Sequence, residues 1–258
     1  MPSPSRAFTL LLLIALSTVP LRAQDTPRVL ALEARDAFPL TASVWTPAGE
    51  GTVPGVVLLH MYCGTRKDWT TLAPRLVAEG YAVLALDLRG HGESKAGGKV
   101  DMEKLEIKEG MALAARMVLD AQAAVAALKR EKRVDPKRLW IVGGSLGANV
   151  AVAYVAEDRT VRGAVLLSPG LDYLGVESEA AVAACAGRPV LALAAKGDVG
   201  SQEAVEAYLK KHGKVPWLDA EVLSATPTLG ANGPILPHGT DLLPVAGVVD
   251  RVVAHLKK

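Results

Sequence analysis

The sequence has 258 residues, half of them hydrophobic and only 4% aromatic, and its 29 Lys and Arg nearly balance its 27 Asp and Glu. This length fits one large α/β domain, and so apolar a composition excludes an intrinsically disordered chain. No basic stripe is interleaved with aromatic residues, so the sequence gives no sign of a nucleic-acid partner.

The amino terminus has the pattern of a secretory signal. Arg6 precedes an apolar run at residues 8–19, and Ala23 supplies a small residue at the expected cleavage point. The run is shorter than the ~20 apolar residues of a spanning helix, so a retained anchor is the less favoured interpretation. We predict a signal peptide at 1–23, a single domain at 24–258, export to the periplasm or the medium, and no stable membrane partner after cleavage.

The pattern of apolar runs predicts a mostly parallel sheet. Residues 29–35 and 40–45 have the pattern of an antiparallel hairpin. The six short apolar runs that follow alternate with helical stretches, as in a sheet covered by helices on both faces. These runs are residues 55–59, 81–86, 138–142, 163–167, 189–194 and 218–223. The sequence therefore predicts an eight-stranded α/β fold, and the short interval before residue 189 leaves no room for a separate cap domain.

Capping residues and apolar periodicity predict four helices. They are residues 68–79 with Asp68 as N-cap, 111–129, 201–212 with Ser201 as N-cap, and 241–256 with the regular part starting at Pro244. The segment 95–108 is charged and glycine-rich, which indicates a mobile, solvated flap.

Ser145 lies in a motif that predicts a nucleophile. A strand runs into Gly-Gly-Ser-Leu-Gly at residues 143–147, and a helix of small residues follows. A serine at such a sharp turn needs small neighbours, because the two backbones approach closely. The free N–H of Leu146 at the start of the helix would stabilise an anion beside the serine. A phosphate-binding loop is less favoured, because no Lys-Ser or Lys-Thr pair follows the glycines.

A serine needs a base to accept its proton, and position in the chain selects His238. Active residues of an open parallel sheet lie beyond the carboxyl ends of its strands. His238 follows the last predicted strand, whereas His212 and His255 end helices. We therefore predict His238 as the general base, His212 as a charge at a helix carboxyl terminus, and His255 as part of a solvated helix face.

The strand, Gly-x-Ser-x-Gly turn and helix together resemble the nucleophile elbow of the α/β-hydrolase superfamily. The loop at residues 86–94 is similar to a second signature of that superfamily, in which Arg89 and Asp87 are expected to form a brace. Residues 60–64 are similar to its His-Gly-x-x-Gly turn, with Met61 in place of the first glycine. The resemblance covers nearly the whole predicted mature chain. It is closest to small members without a cap, of the dienelactone-hydrolase-like and acyl-esterase-like kind.

The resemblance implies that an acid lies between the serine and the histidine in the chain. Asp198 follows the strand before last, where this superfamily usually has its acid, and Asp172 follows the preceding strand, a position used by a minority. The acid accepts the second N–H of the histidine and fixes its tautomer. We favour Asp198, which leaves Asp172 to cap the next helix.

The turn at residues 60–64 carries the remaining site candidates. By the resemblance, the N–H of Tyr62 joins that of Leu146 as the oxyanion hole. Because methionine restricts the backbone more than glycine does, the N–H of Met61 is the alternative donor. Met61 and Cys63 are candidates for the substrate pocket, which the phenol of Tyr62 could also line. His60 is predicted to brace the turn, and His91 to be a loop residue.

The two cysteines are predicted to be free. Cys63 follows one strand and Cys185 precedes another, which places them at opposite edges of a parallel sheet. A disulfide requires Cα atoms within ~7 Å.

These features predict a serine hydrolase that cleaves a small carboxylic ester through an acyl-enzyme on Ser145. The implied partner is a small-molecule acyl substrate, without a metal or organic cofactor. Two alternatives stay open: an acyltransferase or amidase that uses the same three residues, and a non-catalytic exported binding protein that keeps the fold.

Overall fold

Eight strands form one sheet in a computed structural model that describes residues 26–230 and 233–258, without the side chains of 228–235. The predicted signal at 1–23 lies outside the described residues. Four further strands form two separate pairs, β7 with β8 and β11 with β12. In chain order the strands of the described residues are β1 (Arg28–Glu33), β2 (Pro39–Trp45), β3 (Val53–Leu59), β4 (Ala82–Asp87), β5 (Val134–Gly144), β6 (Gly163–Leu167), β7 (Asp172–Tyr173), β8 (Val176–Glu177), β9 (Val190–Ala195), β10 (Leu218–Leu223), β11 (Thr228–Gly230) and β12 (Gly233–Ile235).

The main sheet has the order β1-β2-β4-β3-β5-β6-β9-β10. β1 pairs antiparallel with β2, and β2 with β4, whereas the other pairs in this sheet are parallel. The prediction of an eight-stranded, mostly parallel sheet with an amino-terminal hairpin is confirmed. Between β6 and β9 the chain forms only the short β7–β8 hairpin and one six-residue helix.

Helices cover both faces of the sheet, as predicted. They are α1 (Leu72–Ala78), α2 (Ile107–Ala114), α3 (Met117–Arg130), α4 (Leu146–Glu157), α5 (Glu179–Ala184), α6 (Val199–His212) and α7 (Val248–Leu256), with 3₁₀ turns at Arg66–Trp69, Met102–Lys104 and Gly239–Leu242. Alternate residues of a strand point to opposite faces. In β3, Val57 and Leu59 enter the core shared with α3, α4 and α6, whereas Val56 and Leu58 enter the core shared with α1 and α7.

Two predicted helix starts are wrong because the chain enters each helix at another residue. Thr65 caps a 3₁₀ turn, and the Asp68 carboxylate accepts the N–H of Thr65 at 2.8 Å, so Asp68 completes a capping box inside the turn. The α-helix that follows begins only at Leu72. Helix α6 begins at Val199 with Asp198 in the N-cap position, which places Ser201 within its first turn.

The other two predicted helices are shorter than expected. The stretch 111–129 is divided between α2 and α3, which break at residues 115–116. The closing helix α7 starts at Val248 rather than at Pro244, because Gly247 has a left-handed conformation with φ 82° and ends the preceding turn.

The predicted brace between Asp87 and Arg89 in the loop after β4 is wrong, because each residue pairs with a different partner. The buried Asp87 carboxylate pairs with Arg66 instead, and a Cβ at Gly92 would overlap that carboxylate. Arg89 is also buried and pairs with Asp120 at 2.6 Å and with Asp36 at 2.8 Å. The two residues brace different parts of the fold, since each ion pair links the loop to another element.

The segment 95–108 is mostly exposed, as predicted, but it is anchored to the rest of the fold. The side chain of Met102 is buried, its N–H donates to the carbonyl of Gly90 at 2.9 Å, and Lys95 pairs with Asp101 at 3.0 Å. The mobility of this segment stays a prediction. The prediction of free thiols is confirmed, with Cys63 exposed and Cys185 buried.

Candidate active site

Ser145 occupies the sharp turn between β5 and α4. Its φ of 51° and ψ of −119° are unusual for a residue other than glycine. A Cβ at Gly143 would overlap the carbonyl of Gly147, and a Cβ at Gly147 would overlap the carbonyl of Leu59. The motif therefore needs both glycines for the reason that the sequence indicated, which is close approach of the backbones.

The structure brings Ser145, His238 and Asp198 into one hydrogen-bonded chain. The Nε2 atom of His238 lies 2.7 Å from Oγ of Ser145, and Nδ1 lies 2.7 Å from Oδ2 of Asp198. An ionised carboxylate can only accept hydrogen bonds, so Nδ1 carries the proton and Nε2 accepts the Ser145 hydroxyl. This is the tautomer in which a histidine can remove a proton from a serine.

The surroundings of Asp198 keep it ionised. Burial raises the pKa of the Asp198 carboxyl, but the hydrogen bond and charge of His238 and the hydroxyls of Ser201 and Ser168 outweigh burial, so the pKa lies below its usual value. The carboxylate is therefore charged at neutral pH and can hold the imidazole in place.

The rival acid lies elsewhere. Asp172 is exposed, and its carboxylate accepts the N–H of Gly175 at 2.7 Å within the β7–β8 hairpin. The prediction that it caps the next helix is wrong, because Ser178 occupies the N-cap position of α5.

The remaining histidines have structural surroundings. The buried ring of His60 donates from Nδ1 to the carbonyl of Met61 at 2.7 Å and accepts the N–H of Leu88 at 3.0 Å, which agrees with a brace. His212 ends α6, as predicted. The prediction of a solvated His255 is wrong, because its ring is buried against Trp140. Burial lowers the pKa of His255 to about 4.

A largely apolar cavity of about 500 Å³ opens beside Ser145. It is lined by Met61, Tyr62, Ser145, Leu146, Tyr173, Leu174 and His238. Leu146 is the first residue of α4, so its N–H has no acceptor within the helix. Of the predicted pocket residues Met61 contributes to this lining, whereas Cys63, at φ 57° in the turn, is exposed and lies outside it.

Sequence reasoning missed Tyr173 and its support. The Tyr173 hydroxyl lies 3.1 Å from Oγ of Ser201, and its ring meets the His238 ring edge-on with centroids 6.1 Å apart. Burial raises the pKa of Tyr173, as does the charge of Asp198, whereas contacts with the hydroxyls of Ser201 and Ser145 lower it; the net shift is upward.

The side chain of Asn149 holds the β7–β8 hairpin over the site. Its amide donates to the carbonyls of Gly170 at 2.9 Å and Val176 at 2.7 Å, and its oxygen accepts the N–H of Gly170 at 3.1 Å. The two-residue strands are too short to produce a visible alternation in sequence, so the only available signal was the turn-forming Gly175. Within the part of the chain that the structure describes, no cluster of three His, Cys, Asp or Glu side chains could hold a metal ion.

The chain matches the family described as serine aminopeptidase, S33, over residues 53–219. The matched region runs from β3 into β10 and contains Ser145 and Asp198.

Curated proteins of about 31% identity match this chain over different shares of their length. A monoacylglycerol lipase of Mycolicibacterium smegmatis is 31% identical over 246 residues, covering 83% of this chain and 81% of that protein. A quorum-quenching protein, AidA, of Acinetobacter baumannii is 31% identical over 162 residues, covering 62% of this chain and 49% of that protein. Two uncharacterised proteins of Mycobacterium tuberculosis match over 45% of their length. The chain thus spans about half the length of the relatives other than the lipase.

Solved structures share the fold. An esterase of Pyrococcus furiosus superposes with a TM-score of 0.68 at 22% identity and covers 90% of each chain. A 2,6-dihydroxy-pseudo-oxynicotine hydrolase superposes with a TM-score of 0.68 at 15% identity, covering 90% of this chain and 67% of that one.

Proposed function

We propose that this chain, which belongs to the serine aminopeptidase S33 family of α/β-hydrolases, is a serine hydrolase that cleaves a carboxylic ester. The observation that carries this proposal is the hydrogen-bonded chain from Ser145 through His238 to Asp198, which lies beside an open apolar cavity. The lipase and esterase among its relatives support an ester as the substrate.

The proposed reaction has two halves that use the same groups. His238 Nε2 removes the proton of Ser145 as Oγ attacks the ester carbonyl, and the resulting imidazolium is stabilised by Asp198. His238 then gives this proton to the leaving alcohol, and an acyl-enzyme remains. Water, deprotonated by His238, attacks the acyl-enzyme. His238 then returns this proton to Oγ of Ser145 as the carboxylic acid is released.

Backbone N–H groups would stabilise the tetrahedral oxyanion. Leu146 supplies one donor, and Tyr62 or Met61 supplies the second; each donor of this kind contributes about 3 kcal/mol in the transition state. The carbonyl of Met61 accepts hydrogen bonds from His60 at 2.7 Å and from the N–H of Gly64 at 3.0 Å, so the turn that carries both candidate donors is fixed before substrate binds.

An ester fits the cavity better than the amino terminus of a peptide. An aminopeptidase must bind a protonated amine, for which a carboxylate is the usual partner. Among the described side chains, those lining the cavity include no carboxylate.

The direct test is labelling with a fluorophosphonate probe. We expect an adduct on Ser145 in the wild type, none on Ser145→Ala, and strongly slowed labelling of His238→Ala. His212→Ala is the matched control, because this histidine lies at the far end of α6. A well-folded wild type that takes no label would contradict the proposal and favour a binding protein that keeps the fold.

Product analysis separates hydrolysis from transfer and from amide cleavage. With an aryl ester and added alcohol, a hydrolase gives mainly the free acid, whereas an acyltransferase gives mainly the new ester. An amide with the same acyl group should be cleaved far more slowly, because its leaving group is poorer.

We also propose that the protein is exported after cleavage near Ala23. The support is the signal-like sequence at residues 1–23 alone. Amino-terminal sequencing of protein from the periplasm and the medium tests this. Intact Met1 on protein confined to the cytoplasm would contradict it.

A further inference from the structure

The exposed apolar side chains of this protein are concentrated on one side. Within residues 26–227 and 236–258, whose side chains are described, six large apolar residues are strongly exposed. One of them, Val29, lies on the edge strand β1. The other five form what we call the apolar rim: Tyr62, Ile107, Met111, Leu171 and Val199.

Three members of the apolar rim follow parallel strands. Tyr62 follows β3, Leu171 follows β6, and Val199 follows β9 immediately after Asp198. The carboxyl ends of parallel strands meet at one edge of a sheet, which is also where Ser145 lies at the end of β5. Tyr62 itself lines the cavity.

The remaining two members reach the same edge through α2. Ile107 and Met111 are four residues apart and therefore share one helix face. The methyl carbon of Met111 lies 3.4 Å from where a Cβ on Gly175 would be, and the neighbouring Leu174 lines the cavity. The rim is therefore built from four separate segments of chain around the opening to Ser145.

We propose that the apolar rim docks the protein onto the surface of an aggregated lipid ester, such as an emulsion droplet or a bilayer that contains the substrate. This inference rests on the proposed esterase function. Apolar side chains gathered in this way mark a surface that becomes covered by a partner. A protein seated on the rim would close the cavity, whereas an aggregate would cover the rim and also deliver ester molecules to Ser145.

Charges around the rim indicate which kind of lipid surface it fits. Lys104 and Lys108 flank Ile107 in the chain, and Lys104 is 81% exposed. Lysines at such positions can keep the ammonium group in the headgroup layer while apolar side chains enter below it. Lys104 also pairs with Asp101 at 3.3 Å, and Glu103, Glu106 and Glu109 outnumber the two lysines, so the segment has no net positive charge to attract an anionic surface. Docking should therefore depend on apolar insertion and need no anionic lipid.

The test combines substitutions on α2 with a matched control. Ile107→Gln/Met111→Gln removes two rim side chains and keeps residues that favour a helix. Val29→Gln removes an exposed apolar residue of similar size, 57% exposed, on β1. Thermal unfolding of every variant checks the fold.

The first readout is hydrolysis of tributyrin below and above its solubility limit. The wild-type rate should rise further once droplets form. The double variant should retain the wild-type rate on dissolved tributyrin and lose most of the additional rate, whereas Val29→Gln should retain both.

The second readout needs no turnover. In a Ser145→Ala background, which prevents hydrolysis, flotation with phosphatidylcholine vesicles measures binding directly. The double substitution should lower the partition coefficient about tenfold or more, and Val29→Gln should leave it unchanged. Phosphatidylglycerol added to the vesicles should not strengthen binding. All variants share the same amino terminus, so differences between them report on the rim.

The two proposals fail in different ways. A double variant that equals wild type on droplets and vesicles overturns the docking inference, even if dissolved ester is cleaved. Rim-dependent vesicle binding without any Ser145-dependent hydrolysis supports docking and contradicts the esterase proposal. Rim-dependent self-association that competes with vesicle binding would show that a second copy of the chain covers the rim, and it would also overturn the inference.

Discussion

Asp198 contacts His238 through Oδ2 at 2.7 Å and at the same time occupies the N-cap position of α6. Its backbone carbonyl accepts the N–H of Gln202 at 2.8 Å, so the start of the helix fixes the main chain from which the carboxylate projects. The candidate acid is therefore placed by a regular element rather than by a free loop. Asp172, in a two-residue strand of the β7–β8 hairpin, has no comparable relation to the histidine.

Replacement of each candidate acid should separate them clearly. Asp198→Asn favours the wrong tautomer of His238 and should lower kcat by roughly 10³-fold to 10⁴-fold. Asp172→Asn, the matched control, should change kcat less than about threefold, since its amide oxygen can still accept the N–H of Gly175. Steady-state ester hydrolysis with both variants decides between them, and equal losses would contradict the assignment.

The Tyr173 hydroxyl should affect turnover more than stability. Tyr173→Phe removes the hydrogen bond to Ser201 beside the acid and should lower kcat/KM roughly threefold to tenfold. Tyr154→Phe is the control, because it removes a phenol bonded at 2.6 Å to Asp158, at the far end of α4.

Two measurements distinguish positioning by Tyr173 from a merely structural role. If Tyr173 orients the groups around Asp198, its removal should shift the pH profile of kcat/KM while the unfolding temperature stays near that of wild type. A parallel loss of stability and activity, with an unchanged pH profile, would indicate that the hydroxyl only supports the hairpin.

The sheet and the pairing of Ser145 with His238 were predictable because local pattern and topology agree. Continuous apolar runs specify buried parallel strands. Ser145 and His238 each follow a strand. Asp198 could be chosen over Asp172 only with the help of family resemblance, since both meet the positional rule.

What the sequence could not predict depends on contacts between distant segments. Arg89 pairs with Asp36 and Asp120, which are separated from it by 53 and 31 residues, so a neighbouring aspartate was the wrong choice. The burial of His255 against Trp140 likewise requires knowing which face of α7 meets the sheet. Tyr173 reaches the site through a hairpin too short to leave a periodic pattern.

The turn at Ser145 should tolerate no side chain at Gly147. In Gly147→Ala the new methyl group would overlap the backbone carbonyl of Leu59, which belongs to the central sheet and cannot move aside. We expect a loss of about 3 kcal/mol in the free energy of unfolding, or no soluble protein.

Gly200→Ala is the matched control for Gly147→Ala. It lies in the first turn of α6, where the new methyl group would meet no neighbouring atom within 4 Å, so it should be neutral or stabilising by about 0.5–1 kcal/mol. Urea unfolding of both variants gives the comparison. A Gly147→Ala protein as stable as wild type would show that the turn can widen.

The burial of His255 should make stability fall in mild acid. Burial lowers the pKa of His255 to about 4 from its ordinary 6.5, so the unfolded chain binds a proton more readily than the folded one between these values. The contribution of the buried, uncharged His255 to the free energy of unfolding is full above pH 6.5 and is lost as the pH falls towards 4. The loss reaches on the order of 3 kcal/mol.

The measurement is the free energy of unfolding by urea at pH 7.5, 5.5 and 4.5. His255→Phe keeps an aromatic ring against Trp140 and cannot bind a proton, so its stability should decline less steeply with acid than that of wild type. A slope should remain, because burial also lowers the pKa of His60 to about 4. Identical slopes for wild type and His255→Phe would mean that the buried ring accepts a proton without loss of packing.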